Sequence, residues 1–172
     1  QWRHKGLAYD MLVFTNLTPE HIAAHGSFEN YRRAKQKIFR DLAYHRRKRL
    51  PPFGTIPKVI IANADSPEVG EFMKFSADKK LTFGVGRPAD VQAGDVREEG
   101  SGVTFTVGAL RLHLNIFGAF NVSNALPAFA VGRILGLPPA AVARGLESLT
   151  VIPGRMEVIT HDPFTVIVDY AH

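Results

Sequence analysis

The stretch Tyr9–Phe39, "YDMLVFTNLTPEHIAAHGSFENYRRAKQKIF", decides the fold. Its first part is apolar and nearly continuous, as a buried parallel strand is, and it delivers Thr15 and Asn16 to its carboxyl end. Thr18 can cap a short helix that Pro19 suits and Gly26 stops. Ser27 can cap a second helix, on which Phe28, Tyr31, Ile38 and Leu42 recur at helical spacing. Lys35 falls on that same apolar face, whereas Arg32, Arg33, Gln36, Lys37 and Arg40 take the hydrated sides. Two readings of Lys35 follow. A lysine kept from water is disfavoured as a cation and becomes a nucleophilic amine. A lysine that snorkels packs its stem and sends its ammonium to solvent.

The rhythm of strand, loop and helix repeats along the chain. "KVIIANADSPE", Lys58 to Glu68, is a second buried strand ending in Asn63 and Asp65, and "KLTFGVG" is a third. From Asp90 to Gly118 the pattern turns to alternation, with Gly108 between the arms of a hairpin. Helices return in "FNVSNALPAFAVGRILG" and "PPAAVARGLESL"; Pro127 should kink the first or mark its true start. "PGRMEVI" and "FTVIVDYAH" are two more strands separated by the turn "THDP". The sum is an α/β architecture, a mainly parallel sheet flanked by helices with a small antiparallel β annex.

In such sheets ligands bind at the carboxyl ends of the strands, where Thr15, Asn16, Asn63, Asp65, Asp169 and His172 lie. Turn chemistry is the competing role for each. His21 and His25 are four apart and share a helical face that can hold one metal ion, but no "HExxH" adds a catalytic glutamate. The chain of 172 residues is 45% hydrophobic and 22% charged, which is globular by composition. It has no cysteine, so disulfides and thiolate metal sites are excluded, and a cytoplasmic location is expected. No apolar run approaches the length of a membrane helix, and no membrane partner is expected. Much of the +5 net charge sits in "YHRRKRLPP", Tyr44 to Pro52. That run lacks the interleaved aromatics of a single-strand groove and reads as a solvated loop, with nucleic acid not expected as a partner.

"FTNLTPEHIAAHGSFENYRRAK", "FGAFNVSNALPAFA" and "PGRMEVI" with "PFTVIVDYAH" together resemble the Mur ligase family, and within it the UDP-N-acetylmuramyl-tripeptide synthetase branch. The resemblance implies an ATP-dependent ligase of peptidoglycan precursor synthesis. Such an enzyme phosphorylates the carboxylate of a UDP-muramyl dipeptide and lets the amine of an amino acid, diaminopimelate or lysine, attack the acyl phosphate. It implies that Lys35 is carbamylated and, with His21, binds magnesium. Asn121 and Asn124 match residues near the nucleotide, although capping of the following helix is an equal account of Asn121. Arg155 matches an arginine directed at ATP phosphates, Asp169 an acid contacting the ribose, and His172 part of a hinge. On the same resemblance, residues 1–158 form part of the central ATP-binding domain and 159–172 a linker and first strand of the next. The family's "GxxGKT" loop and the glutamate-bearing strand before Tyr9 do not occur here, and both ends look cut. The expectation is therefore a piece of a larger ligase, lacking the P-loop strand, inactive alone and prone to self-association. The alternatives are a sister ligase, such as folylpolyglutamate or cyanophycin synthetase, or a non-enzymatic module binding metal or nucleic acid.

Overall fold

The computed structural model describes residues 6–19, 25–100, 102–160 and 163–170. The chain divides into two compact units, Gln1–Val91 and Gln92–His172.

In the first unit, β1 (Met11–Phe14) pairs in parallel with β4 (Val59–Asn63), and β4 pairs in parallel with β5 (Lys79–Gly84). β4 is central and buried along its whole length, as its run of Val59, Ile60, Ile61 and Ala62 requires. β1 differs from the sequence expectation of burial on both faces. Leu12 and Phe14 are buried but Val13 is exposed, and among the described residues β1 pairs with β4 alone. Helix α1 (Phe28–Asp41) follows Ser27, whose Oγ accepts the Asn30 N–H at 3.1 Å, so the expected cap is present. Leu12, Phe14, Phe39, Leu42, Ile60 and Phe72 share one core. Phe72, on the short helix α2 (Val69–Met73), stacks on Phe14 with centroids 3.8 Å apart and meets Phe39 edge-on at 4.9 Å.

The basic run is more structured than a solvated loop. Arg49–Leu50 (β2) and Gly54–Thr55 (β3) form an antiparallel hairpin, and Lys48 and Arg47 are engaged in ion pairs.

The second unit contains the expected antiparallel annex, β6 (Val91–Glu99), β7 (Gly102–Val107) and β8 (Leu110–Leu114). Gly108, at φ +59°, makes the tight turn between β7 and β8. Helix α3 (Phe120–Leu135) packs against α4 (Pro139–Glu147), with Gly132 placed so closely that a Cβ would lie 2.7 Å from Val142 Cγ2. α3 starts at Phe120 and runs through Pro127, so the proline does not mark its start. β9 (Glu157–Thr160) and β10 (Val166–Val168) form a two-stranded antiparallel sheet. The domain boundary expected at residue 158 falls within β9.

Candidate functional site

The first corrected expectation concerns Lys35. The helix buries Gln36 and Phe39 and leaves Lys35 exposed. The buried seam is therefore rotated by one residue, about 100°, from the one the apolar spacing indicates. Its cause is a polar residue with partners: the Gln36 amide donates to the Glu71 carbonyl and carboxylate, both at 3.1 Å, and is dry at little cost. Phe28, Tyr31 and Ile38 are only partly buried beside that seam. The Lys35 ammonium stands 5.3 Å from the centroid of the Tyr31 ring, whose other neighbour is the His25 ring at 5.1 Å. Lys35 makes no ion pair among the described residues, and its ammonium is held by a cation–π contact rather than by apolar shelter. His21, the expected metal partner, lies outside the described residues, as does His172. Among the described residues no group of three or more His, Cys, Asp or Glu is placed to hold a metal ion.

α1 is tied to the carboxyl side of β4. Arg32 bonds Glu29 and, at 2.8 Å, Glu68; hydrogen bonding to Glu68 raises the guanidinium above its ordinary value. Hydrogen bonds from Lys74 and then Gln36 hold the Glu71 carboxyl below the ordinary range.

At the strand ends, turn chemistry accounts for two of the candidates. Asn63 Oδ1 accepts the Asp65 N–H at 2.9 Å. The Asp65 carboxylate accepts the N–H groups of Val85, Gly86 and Arg87 at 2.7, 3.0 and 2.7 Å. It thereby fixes the loop after β5, and Gly84 is needed there because a Cβ would come within 3.0 Å of the Arg87 carbonyl. Thr15 and Asn16 are exposed just beyond β1.

In the second unit, Asn121 is buried in the first turn of α3 and its amide donates to the Phe117 carbonyl at 2.6 Å. It does not cap the helix as expected, because the cap position is Ala119, where no side-chain cap bond is made. Asn121 Oδ1 accepts from Asn124 at 3.2 Å, and Asn124 is itself exposed, so the two amides stand together at the start of α3. The two arms of the β9–β10 sheet bring Arg155 and Asp169 together. Arg155 Nη1 donates to the Tyr170 carbonyl at 3.4 Å, and Asp169 accepts the Met156 N–H at 3.3 Å. Both side chains are exposed, and Met156 holds φ +48°. Gly154 lies under the Tyr170 ring, where a Cβ would be 2.3 Å from it.

The lysine that is dry is Lys58, at 1% exposure. Its Nζ donates to the Tyr9 carbonyl at 2.6 Å, to the Arg46 carbonyl at 3.0 Å and to Asp10 at 3.0 Å. Burial alone would raise the Asp10 carboxyl, but hydrogen bonds from Lys48 and Lys58 outweigh it and hold it below the ordinary value. Sequence spacing could not single out Lys58, which stands at the start of a strand where no helical face exposes the conflict.

Residues 1–132 match the Mur ligase middle domain. The chain belongs to the Mur ligase family. A UDP-N-acetylmuramyl-tripeptide synthetase of Roseiflexus sp. (strain RS-1) is 41% identical over 177 residues, covering 99% of this chain and 34% of that protein. A UDP-N-acetylmuramoyl-L-alanyl-D-glutamate--2,6-diaminopimelate ligase of Halalkalibacterium halodurans is 37% identical over 99% of this chain and 34% of its own length. Among solved structures, a ligase of that same name superposes with a TM-score of 0.77 at 27% identity, over 99% of this chain and 34% of the other. MurF from Acinetobacter baumannii shares the fold, with a TM-score of 0.74 at 24% identity over 94% of this chain and 34% of the other. The chain thus spans about a third of the length of the relatives it matches. The Mur ligase fold agrees with the α/β architecture read from the sequence, parallel strands with an antiparallel annex.

Proposed function

We propose that the protein containing this chain is an ATP-dependent ligase of peptidoglycan precursor synthesis, joining diaminopimelate or lysine to UDP-N-acetylmuramoyl-L-alanyl-D-glutamate. The observation that carries the reading is the 34–41% identity, over nearly the whole chain, to ligases named for that step. In the reaction a substrate carboxylate oxygen attacks the γ-phosphorus of ATP and ADP leaves; the amine then attacks the acyl carbon and phosphate leaves. Arg155, a planar and permanent cation held by a long contact to a carbonyl, suits the phosphate charge. Asn124, exposed and oriented by the buried Asn121, presents an amide to a nucleotide base, and Asp169 presents a carboxylate to its ribose. His172 is proposed to join Asp169 at the nucleotide.

Magnesium, when bound, spreads the charge of the transferring phosphate. Lys35 as a carbamate and His21 are the residues proposed to hold it, the first giving the oxygen ligand that magnesium prefers. Apolar shelter does not support that role, since the side chain is exposed; its access to carbon dioxide does. Location in the cytoplasm follows from the same proposal, and no described helix is long and apolar enough to cross a membrane.

The test uses the full-length protein with the UDP-muramyl dipeptide, ATP and either amino acid, following ADP release and product mass. Product with one amino acid, loss of activity in Lys35→Ala and partial rescue by a short carboxylic acid are expected. No product with either amino acid would overturn the function. Full activity of Lys35→Ala would overturn the carbamate.

A further inference from the structure

The basic hairpin takes no part in the ligase reading, yet the fold mounts it firmly. Its base is fixed at several points to the residues that precede the parallel strands. Lys48 bonds Asp10 at 2.8 Å and the Ala8 carbonyl, and Lys58 clamps the Arg46 carbonyl to Asp10 and Tyr9. Arg47 forms a two-point pair with Asp78 at 2.5 and 2.8 Å, and His45 Nδ1 accepts the Tyr9 N–H at 3.1 Å. Asp10, Lys58 and Asp78 stand immediately before β1, β4 and β5. The hairpin therefore leaves the sheet at the amino ends of its strands, opposite to the carboxyl ends where an α/β sheet binds its substrates.

What this base holds out is chemically mixed. The anchoring acids, Asp10 and Asp78, are already matched by Lys48, Lys58 and Arg47, so the exposed Arg46 and Arg49 have no ion pair among the described residues. Beyond them Leu50, the last residue of β2, is exposed at 47% and Phe53, in the turn before β3, at 43%, with Pro51 and Pro52 also in water, and Tyr44 is 87% exposed at the hairpin's foot. Cations at the flank and an apolar, aromatic tip match the layering of an anionic bilayer surface. Phosphates there meet guanidinium groups, and the acyl boundary takes Leu and Phe side chains. A polyphosphate chain would engage the arginines and leave the aliphatic tip without a function.

We propose that the Tyr44–Thr55 hairpin docks the protein peripherally on an anionic lipid surface, with Arg46 and Arg49 on headgroup phosphates and Leu50 and Phe53 inserted at the interface. This departs from the sequence reading, which left the run in water and expected no membrane partner. The proposal is independent of the ligase assignment, since it uses none of the residues proposed for that reaction.

The test is co-sedimentation of the full-length protein with vesicles of phosphatidylcholine alone or mixed with phosphatidylglycerol, read against a vesicle-free control. Binding to the mixed vesicles only, weakened by raised salt, is expected, with a loss of about fivefold for each arginine in Arg46→Ala and Arg49→Ala. Leu50→Ser with Phe53→Ser is expected to reduce binding at unchanged charge. All four positions are exposed, and an unchanged circular dichroism melt verifies folding of each variant. Equal binding to both vesicle types, undiminished binding by the variants, or capture of a single-stranded oligonucleotide without vesicle binding would overturn the proposal.

Discussion

Replacing Lys58 by methionine keeps the stem and removes the charge from the driest polar site of the first unit. Asp10 is itself only 12% exposed on its side chain, and Lys58 supplies it one hydrogen bond while also satisfying the Tyr9 and Arg46 carbonyls. Removing one partner of a buried ion pair costs about 3–5 kcal/mol when the other charge is left alone. Asp10 keeps Lys48, which places the loss near the lower end; the two orphaned carbonyls add to it and the apolar Met offsets part. A net destabilisation of about 3 kcal/mol is expected, or a fall in Tm of about 6–12 °C for a chain of this size. Lys48→Met is the matched control, because Lys48 is 41% exposed on its side chain and its pair with Asp10 is worth about 0–1 kcal/mol. Urea and thermal unfolding followed by circular dichroism measure both. Equal losses in the two variants, or a Lys58→Met loss under about 1 kcal/mol, would refute the assignment of Lys58 as the keystone of that corner.

Three further outcomes follow from the structure. Hydrogen bonding by Arg47, and then by the Lys58 backbone N–H, lowers the Asp78 carboxyl from 3.8 to about 2. Its stabilisation is therefore complete above about pH 4 and lost as pH falls toward 2, so Asp78→Asn should flatten the acid limb of a stability–pH profile in that window. Ser27→Ala should cost about 1 kcal/mol through the lost cap, with Ser27→Asp near neutral, read by urea unfolding. Gly154→Ala places a methyl where φ is +69° and the Tyr170 ring is 2.3 Å away; about 1–2 kcal/mol from the backbone alone, plus displacement of Tyr170, should appear as a change in tyrosine fluorescence.

Strand and helix order could be read from the sequence because each element carries its own period. β4 is a short apolar run rich in β-branched residues and bounded by Pro57 and the polar Asn63–Asp65 turn, β7 and β8 alternate about Gly108, and α1 opens on a capping serine. The site was less legible, and the two lysines show why. Helical spacing placed Lys35 among apolar neighbours and Gln36 in water, and the structure reverses them. An apolar stripe tells which side of a helix is greasy to within about one residue step of 100°, but which residue lies at its centre depends on what stands opposite. Here that is Glu71, 35 residues away, whose carbonyl and carboxylate make a buried glutamine tolerable. Lys58 is buried for the same reason, with its partners 48 and 49 residues distant. Burial of a polar group is set by its satisfaction across the fold, and a one-dimensional pattern carries no trace of it. For Lys35 the consequence is chemical: its side chain is open to solvent and touches the Tyr31 ring. Any carbamate it forms must be held by what it binds once formed, and the acid-rescue experiment tests whether an added carboxylate can take its place.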